Sequence, residues 1–217
     1  MIITLGNILS TTEAAAICEP LSDNDLFSNG SATAAGKAKF VKNNLQANSD
    51  HPFVRAAISK AKSALSENAL FRSATQIASY SRVMISRYDK GMSYGDHVDA
   101  AFIDGIRTDL SFTLFLNEPE HYVGGELIVE EGSQEDTIKL PAGACVVYPS
   151  TSIHRVSEVT CGSRYAVVGW VKSRVRFAED RKILFDLDRT LAALAPDAPG
   201  RTDLANVRNN LLRRFGD

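Results

Sequence analysis

Two histidines and a carboxylate are the side chains of this sequence best suited to hold a transition metal. His97-Val98-Asp99 sets an imidazole and a carboxylate two residues apart, and on an extended backbone such residues point to the same face. One strand end can therefore aim both at a single point. The same stretch also suits a solvated turn, because Gly91, Gly95 and Asp96 surround it. His154, in Tyr148-Pro-Ser-Thr-Ser-Ile-His154-Arg-Val, lies far along the chain in or beside a strand. Alone it reads as a hydrogen-bonded barrel histidine, although a jelly roll can bring such distant strands together across its interior. Two imidazoles and one carboxylate on one face of a metal leave other positions open. That suits non-haem Fe(II), which must also bind oxygen and a cosubstrate. Zinc accepts the same donor types. His51 and His121 fall in loop-like stretches without comparable neighbours and read as surface histidines.

Arg164 opens the stretch Arg164-Tyr-Ala-Val-Val-Gly-Trp170. Alternation puts it on one strand face with Ala166, Val168 and Trp170. A guanidinium among apolar side chains needs an anion, since an unpaired buried charge is very costly. Arginine is also the side chain best shaped to grip a carboxylate with two parallel hydrogen bonds. A dicarboxylate cosubstrate, an internal ion pair with a residue such as Asp109, or solvent at the strand end would each satisfy it. Trp170 reads as core, and Gly124-Gly125 as turn chemistry.

These side chains need strands to position them, and the middle of the chain supplies the signals. Leu110, Phe112, Leu114 and Leu116 alternate with Asp109, Ser111, Thr113 and Phe115, a period of two that marks a strand. Further short strands are expected at 83–88, 126–130, 137–140, 144–148, 152–156 and 164–172, punctuated by Gly and Pro. Together they predict an antiparallel barrel or double-sheet jelly roll. Before it, Ser10-Thr-Thr-Glu13 predicts a capped helix, 23–36 a surface loop, and 37–48 and 52–68 two more helices. After it, Ile183, Leu184, Leu187, Leu191 and Leu194 stripe one helix, and Leu204, Val207, Leu211, Leu212 and Phe215 a second. The expected organisation is α+β: residues 1–78 mainly helical, 79–173 a double-stranded β-helix (jelly roll), and 174–217 a carboxy-terminal helical pair.

Composition narrows the function classes. Hydrophobic residues make up 44%, which predicts an ordered globular chain, and 24 basic against 26 acidic residues offer no charged face for nucleic acid. Cys18, Cys145 and Cys161 form no C-x-x-C pair and fit reduced thiols in a cytosol. Neither a leader pattern nor an apolar run of membrane length is present. A soluble cytoplasmic protein without a membrane partner is expected.

The motifs in combination resemble a known family. Tyr88-x-x-Gly91-x-x-Tyr94-x-x-His97-x-Asp99, Gly124-Gly125-Glu126-Leu127, His154 and Arg164-Tyr165 resemble the prolyl 4-hydroxylase-like branch of the Fe(II)/2-oxoglutarate dioxygenases. The match is closer to the bacterial PKHD-type hydroxylases. It extends through Asp109–Leu116, Lys139–Gly143 and Trp170–Ser173, and more weakly to Thr33–Gly36 and Val41–Asn44. This resemblance implies that His97, Asp99 and His154 bind Fe(II), and that Arg164 binds the distal carboxylate of 2-oxoglutarate. It implies a hydroxyl contact to the cosubstrate from Tyr88, with Tyr94 as the alternative. It further implies a hydroxylase that uses O2 and releases succinate and CO2. The substrate would be a peptidyl proline or a small molecule, in a setting of bacterial iron uptake. Ascorbate accompanies similar proteins. A non-catalytic iron or keto-acid sensor and a zinc hydrolase remain competing readings of the same ligands. The terminal helices are expected to pack as a hairpin and to support a homodimer.

Overall fold

The computed structural model describes residues 1–33 and 38–217. Along the chain the strands are β1 (Ile3–Leu5), β2 (Phe27–Asn29), β3 (Lys42–Asn43), β4 (Leu45–Ala47), β5 (Ile77–Asp89), β6 (Ser93–His97), β7 (Phe102–Ile103) and β8 (Ile106–Arg107). They continue with β9 (Leu110–Phe115), β10 (Tyr122–Val123), β11 (Leu127–Glu131), β12 (Gln134–Ile138), β13 (Cys145–Pro149), β14 (His154–Val156) and β15 (Cys161–Ser173). The α-helices are α1 (Thr11–Cys18), α2 (Ala38–Val41), α3 (Pro52–Glu67), α4 (Ala69–Thr75), α5 (Ala178–Ala193) and α6 (Arg201–Phe215).

Two antiparallel sheets form the jelly roll. The larger runs β1-β13-β9-β15-β5-β4-β2, with β10 added to β15; the smaller runs β12-β11-β14-β6-β3. The strand β9 shows why the sheets stack. All six of its residues are buried, so alternation separates two interiors rather than core from solvent. Leu110, Phe112 and Leu114 face a core that includes Val54, Ala57, Ala61 and Leu65 of α3 and Phe71 of α4. Ser111 and Thr113, on the other face, line a cavity between the sheets. Polar side chains on a doubly buried strand thus mark where the interior is hollow.

The helices close the outer face of the larger sheet. Ser10 and Glu13 form the expected capping box at α1. Pro52 sits in the first turn of α3, where its missing N–H costs nothing. The carboxy-terminal helices pack as a hairpin, with Leu184 and Phe185 of α5 buried. Asp188 of α5 accepts from Ser73 of α4 and Arg208 of α6, tying the hairpin down. Ile183 and Val207 are exposed, because the stripe that docks is centred on Leu184 and Phe185 instead.

Two expectations change. Residues 42–47 are not helical: β3 and β4 occupy them, and the helix there is confined to Ala38–Val41. The start of that expected helix at Lys37, and part of the Thr33–Gly36 resemblance, lie outside the described residues. Helical spacing of Phe40, Val41 and Leu45 lost to sheet pairing, as Leu45 pairs with Arg87 of β5 and Lys42 with Tyr94 of β6. The stretch expected as a surface loop from Asp23 contains short helical turns and β2, which pairs with β4. Among the described residues no helix is long and apolar enough to cross a membrane.

Candidate metal centre and anion pocket

His97 and His154 meet without crossing the interior. They are direct partners on neighbouring antiparallel strands, β6 and β14. Such cross-strand pairs place side chains close together on one face, and the ring centroids are 4.2 Å apart. Asp99, just past the end of β6, curls back so that its Oδ2 lies 3.7 Å from His154 Nε2. One ligating atom from each of the three lies within 4.8 Å of the others.

Each of these side chains is held from behind. His97 Nδ1–H donates to Gly95 O at 2.8 Å, and His154 Nδ1–H to Ser152 O at 3.0 Å. Because a carbonyl only accepts, these bonds fix the proton on Nδ1 and leave both Nε2 lone pairs free. Ser111 Oγ donates to Asp99 Oδ2 at 2.6 Å and is itself bonded to Ser150 Oγ. Tyr94 stacks on the His97 ring, centroids 3.5 Å apart and planes at 15°. Burial, with the neighbouring His154 second, holds the His97 imidazolium pKa down at about 4. The ring is therefore neutral at ordinary pH, the form that ligates a metal.

The opposite wall carries a second cross-strand pair. Arg164 of β15 faces Tyr88 of β5 in register, and both line the same cavity of about 540 Å³ as the histidines. Arg164 is 1% exposed. Its guanidinium lies between the rings of Tyr88 and Phe115, at 5.4 and 5.2 Å. Among the described residues no carboxylate forms an ion pair with it, and its Nε is buried without a hydrogen-bond partner. Asp109 is engaged elsewhere, accepting from Arg107 Nε at 2.8 Å and Ser173 N at 2.8 Å. Burial pushes the Tyr88 phenol up to about 12, with Arg164 pulling it back, so the hydroxyl is a neutral donor.

Two residues do more than the sequence suggested. Gly125 has φ +68°, and a Cβ there would stand 3.0 Å from Arg164 Cδ and 3.1 Å from Tyr122 Cε2. Its missing side chain seats the arginine, beyond making a turn. Trp170 is half-buried rather than core: it lines the cavity, and its Nε1 is shut from solvent without a partner. Tyr88 and Tyr94 take separate places, one against Arg164 and one against His97. His51 and His121 are exposed and outside the cavity lining.

The donor set fits the group that the motifs imply. Two imidazoles and a carboxylate converge, and in the same cavity lies a buried arginine that no carboxylate pairs among the described residues. Similarity to known proteins agrees. The model of the 2OG-Fe(II) oxygenase superfamily matches residues 83–172. A PKHD-type hydroxylase of Acaryochloris marina is 44% identical over 220 residues, covering all of both chains. A solved Pseudomonas putida prolyl-4-hydroxylase aligns at TM-score 0.55 and 20% identity, covering 80% of this chain and 92% of that one. A Trichoplax adhaerens prolyl hydroxylase, solved with a hypoxia inducible factor peptide, aligns at TM-score 0.60 and 18% identity, covering 84% and 86%. These two likenesses show the shared fold. The chain belongs to the PKHD-type hydroxylases of the 2OG-Fe(II) oxygenase superfamily, dioxygenases whose family chemistry uses Fe(II), 2-oxoglutarate and O2.

Proposed function

We propose that His97, Asp99 and His154 hold Fe(II), and that Arg164 with Tyr88 receives the distal carboxylate of 2-oxoglutarate. The observation that carries this reading is one cavity holding both a convergent His-Asp-His set and a buried arginine that no carboxylate pairs among the described residues. When bound, the iron supplies the oxygen chemistry in which 2-oxoglutarate is decarboxylated to succinate and CO2 while a substrate C–H is hydroxylated. The chain's own work is positional. The two Nδ1–H bonds and the Ser111 bond preset three donors, so little reorganisation accompanies metal capture. Arg164, stacked between two rings, offers a fixed fork that selects a carboxylate at one distance from the metal. Apolar walls such as Leu127 and Val156 lower the local polarity, which strengthens that charge-assisted pair.

The substrate would enter beside the β7–β8 hairpin. Arg82 and Asp104 clasp this hairpin to β5, and Ser81 Oγ donates to Ile103 O at 2.8 Å. Phe102 stands exposed there on the cavity rim. A peptidyl proline or a small molecule of bacterial iron uptake is the substrate class we assign, with ascorbate as an accessory reductant. Residues 79–173 carry the chemistry, 1–78 complete the catalytic unit, and 174–217 form an extension whose exposed Ile183 and Val207 support a homodimer. The three free thiols fit a cytoplasmic setting.

Oxygen consumption by Fe(II)-loaded protein, with and without 2-oxoglutarate, is the direct test. Uptake of oxygen and release of succinate that both require 2-oxoglutarate are expected. Turnover that proceeds equally without 2-oxoglutarate, or with Zn(II) in place of Fe(II), would overturn the assignment. Light scattering that returns a monomer at all concentrations would remove the homodimer.

A further inference from the structure

Asn44 sits where the amino-terminal segment crosses from one sheet to the other. The residues before it, Lys42–Asn43, pair with β6 in the smaller sheet; those after it, Leu45–Ala47, pair with β5 in the larger. Since Leu45 pairs with Arg87 and Gln46 with Ser86, the same register sets Asn44 opposite Tyr88. Its side chain is 3% exposed and lines the cavity shared with Tyr88 and Arg164. Asn44 Oδ1 is buried without a hydrogen-bond partner and is turned toward Gly30, where an added Cβ would lie 2.1 Å from it. That leaves the NH2 end for the cavity. There it is close enough to the Tyr88 hydroxyl to draw its pKa down against the larger effect of burial.

We propose that Asn44 is a cosubstrate-positioning residue: its NH2 donates to the Tyr88 hydroxyl oxygen and so directs the phenolic hydrogen at the carboxylate held by Arg164. An isolated phenol can swing its hydrogen through several directions. A donor on the oxygen removes the unproductive ones, because the hydroxyl then uses one lone pair as acceptor and has its single hydrogen left for the anion. Asn44 lies outside residues 83–172, which the family model matches. The amino-terminal segment would on this account complete the anion pocket. Gly30 is part of the arrangement, since only a residue without Cβ lets the Asn44 amide lie where it does. The inference rests on the reading of Arg164 and Tyr88 given above.

The test measures 2-oxoglutarate binding by calorimetry on Mn(II)-loaded protein under anaerobic conditions, with the Mn(II) Kd as a second readout. Asn44→Ala should weaken 2-oxoglutarate by about three- to tenfold, the range for one hydrogen bond, and leave Mn(II) affinity unchanged. Asn44→Asp should weaken it more. The near-isosteric carboxylate keeps the packing but accepts the Tyr88 hydrogen and repels the ligand. A purely packing role predicts the reverse order, with the smaller alanine worse. Gly30→Ala, remote from the cavity, should reproduce the Asn44→Ala loss by displacing the amide. In a Tyr88→Phe background Asn44→Ala should cost nothing further, because the two act in series. An Asn44→Asp variant that binds as tightly as the parent, or additive losses in the Tyr88→Phe background, would overturn the proposal. Arg164→Ala separates the two levels. Undiminished binding there overturns the pocket reading itself, whereas a loss there without the Asn44 pattern overturns only Asn44.

Discussion

At the histidine end of the cavity each side chain is already held from behind, while at the arginine end no carboxylate among the described residues meets the guanidinium. His97 and His154 rest on backbone carbonyls and Asp99 on Ser111. Arg164 is at least as buried, yet it has two aromatic rings beside it and, among the described residues, no carboxylate partner. The difference separates two ways of preparing a site. The first stores geometry: the side chains are satisfied before the ligand arrives and change little when it does. On the proposed reading the second stores an unmet interaction, a cost to the ligand-free protein that an entering anion would relieve.

The largest effect should come from breaking the prepared end. Asp99→Ala removes the only charged member of the triad and should cut Fe(II)-dependent turnover by more than about a hundredfold, beyond the loss typical of outer partners. Metal binding followed by calorimetry should fall with it. Retained iron affinity and turnover in that variant would place the metal elsewhere.

The arginine end should respond differently. Arg164→Ala should raise the 2-oxoglutarate KM by about ten- to hundredfold, the worth of a charge-assisted pair in a dry pocket, with metal affinity unchanged. Arg164→Lys should fall between, keeping charge but losing the fork. The contrast sharpens in the empty protein. Arg164→Met fills similar space without an unpaired charge and should leave thermal stability equal to the parent's or about 1–2 kcal/mol higher. A clearly lower melting temperature for Arg164→Met would mean that Arg164 is satisfied without ligand, and the comparison would collapse.

A smaller change should weaken the first end without dismantling it. Ser111→Ala takes away the 2.6 Å bond that orients Asp99 and should lower metal affinity by about tenfold. The 2-oxoglutarate KM measured at saturating metal should hold. An equal loss in both constants would indicate that Ser111 serves the cavity as a whole.

The smallest effect belongs to a region that neither end touches. Glu13 accepts from Ser10 N and Ser10 Oγ at 2.9 Å and faces Lys60 at 3.1 Å. The Ser10 bonds, backbone first, hold its carboxyl down at about 2. Its folded pKa lies below its ordinary value of 4.5. The stabilisation is therefore complete above about pH 4.5 and is lost as the pH falls toward 2. Glu13→Gln should flatten the acid limb of the stability curve across that window while leaving both binding constants as they were. Unchanged acid sensitivity in the variant would show that the cap contributes little to it.

Much of this was legible in the sequence, and the reason is periodicity. Leu110–Leu116 announced a strand because alternation is a local property, and Ser10-Thr-Thr-Glu13 announced a helix start because a capping box is complete within four residues. The His97-x-Asp99 pair was readable for the same reason: spacing of two on an extended backbone fixes a shared face. The kinship with the PKHD-type hydroxylases was likewise carried by motif order along the chain. Tertiary structure alone decided the rest. The stretch 42–47 has helical spacing but pairs as strands, since its partners Tyr94 and Arg87 lie far along the chain and pairing outweighs weak local preference. Trp170 and Gly125 read locally as core and turn; what they touch is set by how two sheets stack. Whether Arg164 would meet Asp109 or an open pocket could not follow from alternation, which gives the face of a strand and not what stands across from it. Only the packed sheets assigned Asp109 to Arg107 and left Arg164 facing the cavity.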